Sequence, residues 1–287
     1  MRLARTIAVW VVGLSVSVVL AAQAPAAPAP TDAAPVLAKA REALGGEKKL
    51  TSIKTIVASG QTRQIRGENL IPIVFEINIE LPAKYSRRDE TPAVESGYTT
   101  SGFSSDELIQ LPPAATPTMP AMAARPGGPP PPTPEQIAAQ QAAQRRNRVA
   151  TLKQDYARLM LGFFAASTDA FPLTFQRFGI AESPQGKADV ITVLGPNNFT
   201  ANLLINQQTN LPVMLSWVPV APPARGGLTP PVQPEQRLYF ADYRDAGGVM
   251  WPHRIRRASG ADTIEETTFD RFRLNAKIDP KKFEVVK

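Results

Sequence analysis

Cysteine is absent from the 287 residues, which excludes disulfides, thiolate metal sites, Cys nucleophiles and acylation at an N-terminal cysteine. The core alone must therefore hold the fold. His253 is the single histidine, and a zinc site needs several His, Cys or clustered carboxylates. No apolar run reaches the roughly 20 residues that cross a bilayer. No G-x-S-x-G turn is present to display a nucleophile. The Gly-Gly pairs at 45, 127, 226 and 247 lack any phosphate-loop context, so neither a metal nor a cofactor is expected. A basic stripe interleaved with aromatics is also missing, which argues against a nucleic-acid partner.

What is present begins with Arg2 and Arg5, an apolar run from Ile7 to Leu20, and Ala22-Gln23-Ala24. A basic head, a short hydrophobic stretch and an A-x-A pattern read as a secretory signal over residues 1–24; an uncleaved anchor is the alternative. Everything after it is then read as an envelope or extracellular protein of about 263 residues. Its formal charge falls from +7 to +5, since only Arg2 and Arg5 leave. The excess is spread in pairs, Arg87-Arg88, Arg145-Arg146 and Arg256-Arg257. Peripheral contact with anionic head groups is compatible with that balance.

Proline marks where regular structure stops. Of 29 prolines, 10 lie between Pro112 and Pro134 and 6 between Pro219 and Pro234. Proline removes ladder donors, so both stretches read as loop insertions within one domain spanning 36–287. Residues 25–35 read as a Pro/Ala-rich spacer. A first helix is expected over Val36–Leu44, with Leu37, Ala40 and Leu44 as its stripe and Gly45-Gly46 closing it. Leu50 and Ile53 suggest a further turn. Ile73–Leu81 alternates cleanly, with Ile73, Phe75, Ile77, Ile79 and Leu81 on one face and a mostly polar face opposite. Strands are also expected at Ala83–Asp89, Ser96–Phe103 and Asp106–Leu111.

Thr133-Pro134-Glu135-Gln136 forms a capping box. The helix it opens runs through an exposed Ala/Gln/Arg stretch to an apolar face of Val149, Leu152, Tyr156, Leu159, Met160 and Phe163. After Asp169 strands return, at Leu173–Phe178, Asp189–Leu194, Phe199–Ile205, Val213–Val218, Gln236–Arg244, Val249–Ala258 and Thr263–Leu274, with Asn/Asp/Gly turns between them. The expected fold class is α+β. About ten antiparallel strands, in an open or partly closed sheet wrapped around a helix, would bury both apolar faces.

Catalytic groupings are weak. His253 in Trp251-Pro252-His253-Arg254 has no nucleophile turn to serve and reads as a surface or half-buried side chain. Glu76 and Glu80 share a strand face that reads as solvated. Asp189, Asp242, Asp245 and Asp262 fall near strand ends, where turn chemistry accounts for them. The apolar pattern says more. Phe75, Ile77, Ile79, Phe199, Leu203, Ile205, Leu215 and Trp217 alternate on three strands, and the inserted helix offers Leu159, Met160, Phe163 and Phe164. Two readings stay open: these side chains fill a core, or sheet and helix leave a cavity for an acyl chain, each buried methylene contributing about 0.8 kcal/mol.

The order of signal, early helix, strands, mid-chain helix and strands resembles the periplasmic lipoprotein-carrier superfamily (LolA/LolB-like). Local similarity lies in Val36–Gly46, Leu81-Pro82-Ala83-Lys84-Tyr85 and Gly102–Leu111. Asp242-Tyr243-Arg244 with Gly247–Pro252, and Ile278–Phe283, carry it further along the chain. The resemblance implies a half-open barrel closed by helices that holds lipoprotein acyl chains, in the periplasm. It also implies an Arg-Pro-x-x-Phe/Tyr motif whose Arg latches the lid; this chain has Leu81 there, which cannot donate hydrogen bonds. Arg87 and Arg88 alternate faces on a strand and do not inherit that role.

The expected function is therefore a non-enzymatic, exported, monomeric binding protein. Its acyl cavity would be lined by Phe75, Ile77, Ile79, Leu159, Met160, Phe163, Phe164, Leu203, Ile205, Leu215 and Trp217. The alternatives are an envelope interaction protein with a filled core and Pro-rich contact loops, or a hydrolase built on His253.

Overall fold

The computed structural model describes residues 31–92, 97–112, 133–220 and 232–285. The expected signal, most of the spacer and most of both Pro-rich insertions lie outside the described residues.

Three α-helices and thirteen strands are found among the described residues. Strand β1 (Thr31–Asp32) and helix α1 (Ala34–Leu44) fall partly inside the stretch expected to be a spacer. The Asp32 carboxylate accepts the Ala34 amide at 2.9 Å and Pro35 fills the first turn, so the helix starts two residues earlier than expected. Helix α2 (Glu47–Ser52) supplies the turn foreseen around Leu50. Strands β2 (Thr55–Arg66), β3 (Asn69–Glu80), β4 (Lys84–Glu90), β5 (Tyr98–Ser104) and β6 (Glu107–Leu111) form a meander. Helix α3 (Pro134–Phe164) follows, its box closed by Gln136 N–H to Thr133 Oγ1 at 3.3 Å and Thr133 N–H to Gln136 Oε1 at 2.9 Å. The second meander is β7 (Thr174–Ser183), β8 (Gly186–Gly195), β9 (Phe199–Asn206), β10 (Pro212–Trp217), β11 (Gln236–Ala246), β12 (Val249–Ser259) and β13 (Asp262–Leu274).

All thirteen join one antiparallel sheet in the order β1-β7-β8-β9-β10-β11-β12-β13-β2-β3-β4-β5-β6. Strands β13 and β2 splice the two meanders, while β1 and β6 stay unpaired with each other, so the barrel is open. Helix α3 packs on β5 and β6 at one edge as well as on β10 and β12. The sheet must curl around it to bring these together.

Strand β2 has no counterpart among the expected elements. Its inward positions are Ile56, Ala58, Gly60 and Thr62, so the apolar alternation fades midway. The small residues are required. A Cβ on Gly60 would lie 2.1 Å from the Thr268 carbonyl and 3.0 Å from the Phe75 ring, and Gly60 sits opposite both Phe75 and Phe269 in register. The outer face of β3 is not uniformly wet either. Near it, the 3-10 turn Pro280–Phe283 covers β4 and β5, and Asn78, Ser86, Ile109 and Phe283 are buried.

Candidate functional site

The inward face of the sheet and the C-terminal half of α3 meet in one continuous apolar cluster. It contains all eleven residues expected to line a cavity, plus Phe199; ten of the eleven are buried and Leu159 is partly so. Helix α3 aims Met160, Phe163 and Phe164 at the sheet because its buried positions Val149, Leu152, Tyr156, Met160 and Phe163 recur at three- and four-residue spacing.

At the C-terminal end of α3 the packing is dense. Phe163 is wholly buried, its ring meeting Trp251, Phe269 and Phe272 edge-on at 5.0, 6.0 and 5.8 Å; Phe164 meets Trp251 at 5.7 Å. Trp251, Phe269 and Phe272 were not among the expected lining residues. Phe269 and Phe272 are three apart and both face inward because a bulge between Phe269 and Arg271 resets the alternation. This end is also pinned. The Arg41 guanidinium of α1 donates to the Phe164 carbonyl at 3.1 Å, and the Tyr243 hydroxyl lies 2.7 Å from the Pro212 carbonyl and 3.4 Å from that of Gly162. A Cβ on Gly162 would come within 2.3 Å of the Phe240 ring, so helix and sheet approach each other closely here.

The other end of α3 is different. Positions 134–148 are largely exposed, and only from Val149 onward does the helix bury a face. Between the two ends sits Tyr156, packed on Tyr85 and Phe103 at 5.7 and 5.4 Å. Its hydroxyl reaches the Pro82 carbonyl at 3.5 Å, beside Leu81. Leu81 itself packs against the apolar cluster.

Polar groups also face the helix side. Arg87 on β4 stacks 4.8 Å over Phe75, donates to Asp89 at 2.7 Å and to Thr62 Oγ1 at 3.1 Å. Thr62 and Thr267 share a hydrogen bond of 2.9 Å. Arg88 points to the opposite face, 3.7 Å over Tyr98, as the alternation required. Arg158 of α3 lies 4.3 Å over Trp217 and 5.1 Å over Phe199.

The weaker catalytic candidates resolve structurally. His253 is buried rather than at the surface or half-buried, its ring edge-on to Phe272 at 5.2 Å and its Nδ1 3.1 Å from the Trp251 carbonyl. Glu76 and Glu80 each meet a cation, Lys282 at 2.9 Å and Lys84 at 2.7 Å. Burial pushes the Glu76 carboxyl up, but hydrogen bonds from Lys282 and Asn78 outweigh it and hold the group below the usual carboxylate range. Asp189 pairs with Arg177 at 2.6 Å, Asp242 with Arg244 at 2.6 Å, and Asp245 accepts the Gly248 amide at 3.2 Å. Asp262 opens β13. Among the described residues no group of three or more His, Asp or Glu side chains could hold a metal, and no helix is long and apolar enough to cross a membrane. A polar cleft of about 250 Å³ lies on the outer face of β2, β12 and β13, lined by Gln61, Arg63, Arg254, Glu266, Thr268 and Asp270.

The described residues thus form an open antiparallel barrel whose inward apolar face is covered by one long helix. The chain shares its fold with a LolA superfamily protein from Nitrosomonas europaea, with a TM-score of 0.52 and 12% identity over 88% of this chain and 98% of that one. A domain named as an outer membrane lipoprotein-sorting protein, from Vibrio parahaemolyticus, aligns over 88% of this chain and 97% of its own at TM-score 0.46 and 8% identity. A DUF1329 family protein from Desulfovibrio piger aligns over 88% and 96% at TM-score 0.44 and 6% identity. No protein-family pattern and no curated protein matches the sequence.

Proposed function

We propose that this is an exported, non-enzymatic binding protein that takes up an acyl chain of a lipid or lipoprotein between the sheet and α3. The observation that carries the reading is the asymmetric fastening of α3. Its C-terminal end is held by Arg41, Tyr243 and the Gly162–Phe240 contact, whereas residues 134–148 bury almost nothing. A helix fixed at one end and free at the other can swing from the sheet and expose Leu203, Leu215 and Trp217 to a chain. Insertion of about eight methylenes would contribute on the order of 6 kcal/mol before the cost of association. The LolA-like fold supports the same reading.

Dense packing around Phe163 favours the alternative in which the layer is simply a core. Leu159, partly buried at the margin, separates the two. Leu159→Asp should weaken binding of a fluorescent fatty-acyl probe at least tenfold while far-UV circular dichroism is unchanged. Equal probe binding by both proteins, or none by either, supports the filled core.

A further inference from the structure

Arg158 and Arg257 converge on one indole. Their guanidinium carbons lie 4.3 and 5.8 Å from the Trp217 ring centre, one approaching from α3 and the other from β12. Arg158 is 8% exposed. It donates to the Asp155 carboxylate at 2.8 Å and to Gln154 Oε1 at 3.4 Å, but its Nε is buried with no acceptor. The Nε of Arg257 is likewise buried and without an acceptor. Among the described residues Arg257 makes no ion pair: Glu265 lies opposite it in register, yet only the Thr267 hydroxyl donates to that carboxylate, at 3.5 Å. Burial pulls the Arg158 guanidinium below its ordinary value and Arg257 pushes the same way, against the pull of Asp155.

Arg158 is buried and Arg257 half-buried, and a buried N–H without an acceptor is costly even where the guanidinium is paired elsewhere. Two orphaned guanidinium N–H groups on the inward face, beside one aromatic ring, are a donor set in want of an oxyanion. Guanidinium forks match the planar or tetrahedral oxygens of carboxylate and phosphate. Phe199 and Trp217 lie against them and Leu238 sits opposite Arg257 in register, all three within or packed on the apolar cluster. The geometry points to a binding site for the acidic head of an amphiphile, with Arg158 and Arg257 on a carboxylate or phosphate and the chain running beneath α3. This deepens the acyl-binding reading and rests on it for the chain.

Neither arginine belongs to the latch position of the lipoprotein carriers, which Leu81 occupies here. The ligand-free protein holds the pair at a cost, so removing Arg257 should not weaken the fold.

The test uses the full chain and four probes: decanoate, decyl phosphate, 1-decanol and acetate, titrated by calorimetry against wild type, Arg257→Gln and Arg158→Gln. The expected result is that decanoate or decyl phosphate binds at least tenfold tighter than decanol, and that Arg257→Gln narrows this preference to within twofold. The ranking of the two acids identifies the head group. Ligand-free Arg257→Gln should melt no lower than wild type. Equal affinity of wild type for decanol and both acids overturns the anion site and leaves acyl binding standing. Acetate binding as tightly as decanoate, with decanol silent, keeps the anion site and overturns the chain. A fall in the melting temperature of Arg257→Gln by several degrees would mean that it pairs with Glu265 in solution, and overturns the site.

Discussion

Replacing Phe163 by Ala measures directly whether the layer beneath α3 is solid at its C-terminal end. The ring is wholly buried and meets three aromatic rings within 6.0 Å. Its neighbours cannot collapse into the space, because Trp251 and Phe272 stack on each other at 4.9 Å and Phe269 and Phe272 do the same at 4.9 Å. Truncation of a phenylalanine in such a setting costs about 3–5 kcal/mol through lost transfer energy and the cavity left behind. A value near 4 kcal/mol lowers the melting temperature by roughly 10 °C for a chain of this size. In urea, with a slope of about 3 kcal/mol per molar, the midpoint falls by roughly 1.3 M. The assay is chemical denaturation followed by tryptophan fluorescence and circular dichroism together, to verify that both report one transition. An apolar void of this shape stays dry and accepts small aromatic solutes, so benzene should restore part of the loss by mass action. A loss below about 1 kcal/mol would refute the reasoning, since it would mean that Phe163 borders open space and leaves no cavity when removed.

Other consequences can be checked with equal economy. Amide exchange along α3 should be graded: residues 134–148 exchange quickly, and from Val149 protection rises towards the fastened end at Gly162–Phe164, which exchanges only with global opening. Uniform protection along the helix would contradict a lid fastened at one end. At alkaline pH, burial raises the Tyr85 hydroxyl from 10.0 to about 12. The unfolded chain ionises first, so stability is intact below pH 10 and declines between 10 and about 12. Tyrosinate absorbance should therefore rise with loss of structure, and ionisation of every tyrosine before any unfolding would disprove the burial.

Much of this architecture was legible in the residue pattern, and the gaps have physical causes. Ile73–Leu81 declared itself because one face is continuously branched or aromatic, and Thr133–Gln136 because a capping box is local chemistry. Strand β2 stayed hidden for the opposite reason: its inward side chains shrink to Ala58 and Gly60 to make room for Phe75 and Phe269. The pairing of β13 with β2 joins strands far apart in sequence, and no local pattern encodes that. All eleven expected lining residues came together, since alternation identifies the inward face whatever fills it. Burial of His253 was missed because a strand bounded by Trp251 and Arg254 gives no sign of which neighbour covers it. Arg158 and Arg257 were missed because arginine in a helix or strand ordinarily reads as a solvated face. Only the three-dimensional approach of both to Trp217 marks them out.

The decisive question is whether an acyl chain occupies the layer between sheet and α3. Protein isolated under native conditions, extracted with organic solvent and analysed by mass spectrometry, should release about one acyl-bearing molecule per chain, and that molecule should carry an acidic head. An extract free of acyl compounds, from protein that also fails to take up added decanoate or decanol, would contradict it.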